Sequence, residues 1–132
     1  MTTPAATPQA PISWGELIDK ITILEIKTGR LPTAEARANA LTELGLLQEI
    51  AGPALARAEI QTLAAQLKAL NGELWEIEDR IRLCERTGDF GAGFVELARS
   101  VYKRNDERGA IKRQINLALG SGLIEEKSYQ PY

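Results

Sequence analysis

Two kinds of charged residue stand where apolar side chains are expected, and they are the first places to look for chemistry. Placed at 100° per residue, Trp14, Leu17, Ile18, Ile21, Leu24 and Thr28 form one apolar arc of a helix, and Glu25 falls inside it. A carboxylate in such a stripe must find a partner or change its protonation, because an isolated buried charge is very costly. Far along the chain, an apolar seam through Phe94, Leu97 and Val101 meets Arg104 and Arg108 before resuming at Ile111. A planar guanidinium holds a carboxylate through two parallel hydrogen bonds. The expectation is that Glu25 pairs with Arg104 or Arg108, either fixing the register of two helices or orienting the arginines toward a small anionic ligand. Glu25, Arg104 and Arg108 are therefore the candidate ligand-binding residues.

Other chemistry has less to work with. The sequence contains no histidine, which removes imidazole catalysis and the usual histidine-containing zinc and di-iron sites. Glu73, Glu76, Glu78 and Asp79 cluster, but Arg80, Arg82 and Arg86 interleave with them at helical spacing, and Glu76–Arg80 and Glu78–Arg82 read as surface pairs. The lone cysteine, Cys84, lies on an apolar seam and reads as a small core residue. No phosphate-binding glycine loop or dinucleotide fingerprint is present. Neither a metal nor a cofactor is expected, and no residue is assigned as catalytic.

The elements that must position these groups are helices. Ser13 with Glu16 three residues on is a capping-box signature, and the helix it opens is expected to span Trp14–Thr28 and stop at Gly29, ahead of Pro32. A weaker helix is expected from Thr33, with Gly45 inside it, before Gly52-Pro53 breaks the chain. Ala56, Ile60, Leu63, Leu67, Leu70, Leu74, Ile77, Ile81 and Cys84 then alternate at spacings of four and three, a heptad seam that passes in phase through Asn71-Gly72. Gly88-Asp89-Phe90-Gly91 is a turn, after which Phe94, Leu97, Val101, Ile111, Ile115 and Ala118 resume the seam. The expected fold is all-α: a long antiparallel, coiled-coil-like hairpin over 54–86 and 92–119, with the N-terminal helix packed across it. A lead-in over 1–11, one helical domain over 12–122 and an extended tail over 123–132 complete the organisation. Tyr129 and Tyr132 around Pro131 suit a segment laid on a surface or offered to a partner.

Composition narrows the setting. The chain has 132 residues, 44% of them apolar but only 5% aromatic, so Leu, Ile and Ala supply the core, a mix that favours helix. A net charge of −2 argues against nucleic acid, although the last helix is locally basic. One cysteine allows no internal disulfide, and no apolar run reaches membrane-spanning length. The lead-in has neither the charge nor the apolar stretch of a signal peptide. These features point to a cytoplasmic protein with no membrane partner. Ile23 and Ile26 lie outside the main arc of the first helix, so that helix is apolar around much of its circumference. A homodimer is expected on that ground, with the first helix or the C-terminal tail as a possible surface for another protein.

The stretch Ser13-Trp14-Gly15-Glu16-Leu17-Ile18-Asp19-Lys20-Ile21-Thr22-Ile23-Leu24-Glu25-Ile26-Lys27 resembles the opening signature of DUF6165, a family of uncharacterised bacterial proteins. Leu74–Asp79, Gly88-Asp89-Phe90, Tyr102, Asn105–Arg108 and Glu125–Tyr129 resemble its other blocks. The resemblance covers nearly everything after Pro11 and implies a bacterial cytoplasmic protein of unassigned function, with no catalytic residue to carry over. Glu16–Ile21 is more distantly similar to the first helix of the all-α chorismate mutases, which clamp a dicarboxylate with Arg and Lys; the arginine ahead of their Ile-Asp pair is missing here. Two functions are compatible with these readings: a non-catalytic interaction or scaffold module, and a small helical enzyme or binding protein for an anionic small molecule.

Overall fold

Four helices follow in order in the computed structural model, which describes residues 5–132: α1 (Trp14–Arg30), α2 (Ala34–Ala51), α3 (Ala58–Thr87) and α4 (Ala92–Ala118). No strand occurs among the described residues. The first four residues of the lead-in lie outside them, and the rest of it, to Ile12, is exposed and without regular structure.

Each boundary has a local cause. Ser13 Oγ accepts a hydrogen bond from the Glu16 amide at 3.2 Å, capping α1. Thr33 Oγ1 accepts from the Ala36 amide at 3.1 Å and caps α2 in the same way. Helix α1 runs through Gly29 to Arg30, past the expected stop, because the Leu31 amide still reaches the Lys27 carbonyl at 3.1 Å. Pro32 sets the limit instead. A 3-10 turn over Gly52–Ala56 precedes α3, so the hairpin helix starts at Ala58 rather than at residue 54. Helix α3 continues without a break through Gly72. Its end and that of α4 close alike: Asp89 N reaches Cys84 O at 2.9 Å beside Gly88 at φ 69°, and Ser121 N reaches Asn116 O at 2.8 Å beside Gly120 at φ 60°. Both are Schellman closures, which require the left-handed conformation that glycine adopts without penalty.

Helices α3 and α4 form the antiparallel hairpin, and α1 packs on both. Helix α2 touches α1 and the 3-10 turn but neither hairpin helix. Helix α1 is thus enclosed, with α2 on one side and the hairpin on another. That explains its wide apolar circumference within a single chain, the feature that suggested a dimer contact on this helix. The core gathers around α1, where Ile18, Ile60, Leu67 and Ile115 are fully buried.

Helix α1 is shorter than the hairpin it crosses. Its last turn reaches the level of Glu76, which Arg30 meets at 3.4 Å. Beyond that point the hairpin has no third helix against it, and not one residue from Gly72 to Ile111 is buried. The seam positions Ile77, Ile81, Cys84, Phe94, Leu97 and Val101 are all half-buried there. The molecule is a compact four-helix base with a two-helix arm.

Candidate functional site

Helix α1 lies directly against α4 at Gly15. A Cβ at this position would lie 2.4 Å from the Lys112 carbonyl oxygen, a backbone atom of α4 that cannot swing aside. Glycine lets the two helices touch, and the contact is used. The Gly15 amide donates to Asn116 Oδ1 at 2.6 Å and the Trp14 amide to Ser121 Oγ at 3.2 Å. The first amides of a helix have no partner within it; here those of α1 are satisfied by Ser13 and by the far end of α4.

One turn further on, Asp19 is fully buried. Its Oδ1 accepts from Asn71 Nδ2 at 2.9 Å and from Arg108 Nε at 3.0 Å, and Arg108 Nη2 donates to Oδ2. Asn71 also donates to Thr22 Oγ1 at 2.9 Å. One carboxylate therefore ties together α1, α3 and α4. Lys112, 7% exposed, joins the group: its Nζ lies 3.9 Å from Asp19 Oδ2, 2.6 Å from Glu16 Oε2 and 3.1 Å from Glu125 Oε2. Among the described residues no buried side-chain nitrogen or oxygen lacks a hydrogen-bond partner, the condition under which buried charge is tolerated. The hydrogen bond to Asp19 raises the Arg108 pKa despite the opposing effect of burial. Burial pulls the Lys112 ammonium down, but hydrogen bonds to Glu16 and Glu125 outweigh it and leave the pKa raised.

Glu125 belongs to the C-terminal segment, which turns back along α4. Its pKa is lowered, first by Lys127 and then by Lys112. The stem of Lys127 crosses α4 at Gly109, and its ammonium returns to Glu125 at 2.8 Å. Tyr132 ends the run with its hydroxyl on the Asp106 carboxylate and its ring edge-on to Tyr102, centroids 5.2 Å apart. Between this segment and α4 lies a cleft of about 870 Å³, lined by the rings of Tyr102, Tyr129 and Tyr132 and the cations Arg108, Lys112 and Lys127. A smaller groove on the other side of Arg108 has Ile23, Ile26, Leu74 and Trp75 as its floor.

The sequence matches a family of unknown function, DUF6165, over residues 9–132. The chain belongs to the DUF6165 family. The match spans both the α1–α4 junction and the C-terminal segment laid over it. No curated protein matches the chain, and no solved structure matches it.

Of the three residues that the sequence of this DUF6165 chain singled out, only Arg108 is in the buried network. Glu25 does not meet an arginine: it lies 3.8 Å from Lys68, with both side chains partly in solvent. Arg104 pairs with Glu73 at 2.9 Å and Glu107 at 3.0 Å on the hairpin surface. The carboxylate that Arg108 holds is Asp19, and Glu16, read from the sequence as part of a capping box, is a partner of Lys112. The wheel fails because it allows α1 one buried face. The helix has two, and Asp19, Thr22, Ile23 and Ile26 line the one toward the hairpin. The signal was present in Ile23 and Ile26, apolar residues outside the main arc, to whose side Asp19 belongs.

Proposed function

We propose that this protein is a non-catalytic cytoplasmic interaction module that self-associates through its hairpin arm. The observation that carries the reading is the stretch from Gly72 to Ile111, without one buried residue although its seam is apolar. Two helices alone cannot cover such a seam, whereas two hairpins side by side form a four-helix arrangement that can. Leu83, Phe90 and Val95 add exposed apolar surface near the tip, at 57%, 53% and 51% exposure. Within the arm, α3 carries five carboxylates against three arginines and α4 four cations against three carboxylates, so two arms set α3 against α4 bring together small charge excesses of opposite sign. Helix α1 is already enclosed, which favours the arm over that helix as the contact. A single free, half-buried cysteine, Cys84, agrees with a reducing compartment.

Leu83→Glu combined with Val95→Glu tests this reading. Both residues are exposed, so the isolated chain should keep its stability within about 0.5 kcal/mol. Sedimentation should show wild type as a dimer at micromolar concentration and the double variant as a monomer. Wild type sedimenting as a monomer at high micromolar concentration would overturn the proposal, as would a double variant that associates equally well.

A further inference from the structure

Arg108 offers a ligand one edge of its guanidinium. The Nε and Nη2 edge is spent on Asp19, while Nη1 has only a long contact, 3.4 Å, with Asn105 Oδ1. Because Asp19 is fully buried and also held by Asn71, the guanidinium is fixed in orientation. A positioned planar cation with a free edge suits a carboxylate or phosphate, which it grips through paired hydrogen bonds.

The cleft that Arg108 lines adds what such an anion needs. Lys112 and Lys127 line it too, against a single side-chain carboxylate, Asp106, which already accepts from Tyr132. The carboxylates that balance these cations, Asp19, Glu16 and Glu125, do not line the cleft. The rest of its lining includes Tyr102, Tyr129 and Tyr132, aromatic residues on which another ring can stack or meet an edge. Asn105 and Gln130 supply neutral donors and acceptors. A volume of about 870 Å³ lies within the range of small-molecule sites.

We propose that the cleft between α4 and the C-terminal segment binds an anion carrying a flat ring, the anionic group on Arg108 and Lys127 and the ring among Tyr102, Tyr129 and Tyr132. The segment from Gly122 onward is exposed throughout and is tied to α4 by the Lys112–Glu125 and Arg113–Glu126 pairs and by Tyr132 on Asp106, contacts that water partly screens. It swings aside to admit the ligand and closes over it, as mobile flaps do at other sites. This inference does not rest on self-association: the cleft takes in Val101 and Tyr102 at the base of the arm, whereas Leu83 and Val95 near its tip do not line it.

Phenyl phosphate is the probe, titrated into the full chain and followed by NMR, with inorganic phosphate and phenol as separate controls. Saturable binding is expected with a Kd of about 1 mM or tighter, with shifts centred on Tyr102, Arg108 and Tyr129, and each control binding at least about tenfold more weakly. Tyr129→Ala should reduce phenyl phosphate to the level of phosphate alone. Lys127→Gln should weaken it about tenfold. Both positions are on the exposed segment, so circular dichroism should stay at the wild-type value. Absence of saturation, phosphate binding as tightly as phenyl phosphate, or wild-type affinity in both variants would each overturn the proposal.

Discussion

Asp19 and Glu25 occupy one helix and answer to different neighbours. Asp19 has no contact with solvent and is shared by Asn71, Arg108 and Lys112, whereas Glu25 has a single, distant lysine at the surface. Their substitutions should separate accordingly. Breaking a buried ion pair from one side costs about 3–5 kcal/mol, and because the Arg108 side chain is 27% exposed the lower end applies to Asp19→Asn. That corresponds to a fall of roughly 10 °C in melting temperature for a domain of this size. Glu25→Gln should stay within about 0.5 kcal/mol of wild type, the usual worth of a surface pair. Thermal melts of the two variants side by side check both values, and equal melting would refute the assignment. The sequence made a buried carboxylate on this helix legible, since a helix so apolar leaves little solvent-facing surface. It did not identify which one, because a helical wheel assumes a single buried arc and counts every other charge as solvated.

At the scale of elements, helices were legible and their company was not. Capping hydroxyls at Ser13 and Thr33, and the seam through Ile60 and Leu67, reveal the helices directly, since hydrogen bonding and periodicity are local properties. The 3-10 turn after Gly52 and the enclosure of α1 by α2 depend on tertiary contact, which no local pattern encodes. The C-terminal segment is the extreme case: it has no period, and its path follows from polar partners 13 and 26 positions back on α4. Those partners make its attachment pH-dependent. Glu125 has a pKa lowered from its ordinary 4.5, so its contribution is present above that value and disappears as pH falls through the lowered one. Lys112 and Tyr132 have pKa values raised from 10.5 and 10.0; what they contribute is present below those values and is lost as pH rises through the raised ones. The segment should therefore be docked across the neutral range and loosen at both extremes. NMR signals of Glu125 and Tyr132 should move to unstructured positions in acid while those of Ile60 and Leu67 stay put. Helix signals melting together with the segment would show that it is an integral part of the fold.

At the scale of the whole molecule, the chain closes on itself. The Gly15 amide and Asn116 side chain that meet at 2.6 Å are separated by 101 positions in sequence, and Trp14 and Ser121 by 107. The hairpin and the α1–α2 pair each join neighbours through a short connection and have little chain to close, whereas bringing α1 onto the end of α4 closes most of the chain and is expected late. During synthesis this order has a consequence. Helix α1 is made early, yet the residues that cap its amides and neutralise Asp19 are made about a hundred residues later. At about 5–20 residues per second, that leaves its α4-facing side without its final partners for roughly 5–20 s. A chain interrupted before Arg108 carries Asp19 with no cation to meet it and an α1 that lacks its contacts with the end of α4. Such fragments, expressed in a cell-free system, should pellet or be captured by chaperones, while the full chain released under the same conditions stays in the supernatant. The contact that seals the finished molecule is the one whose absence makes every unfinished copy a hazard.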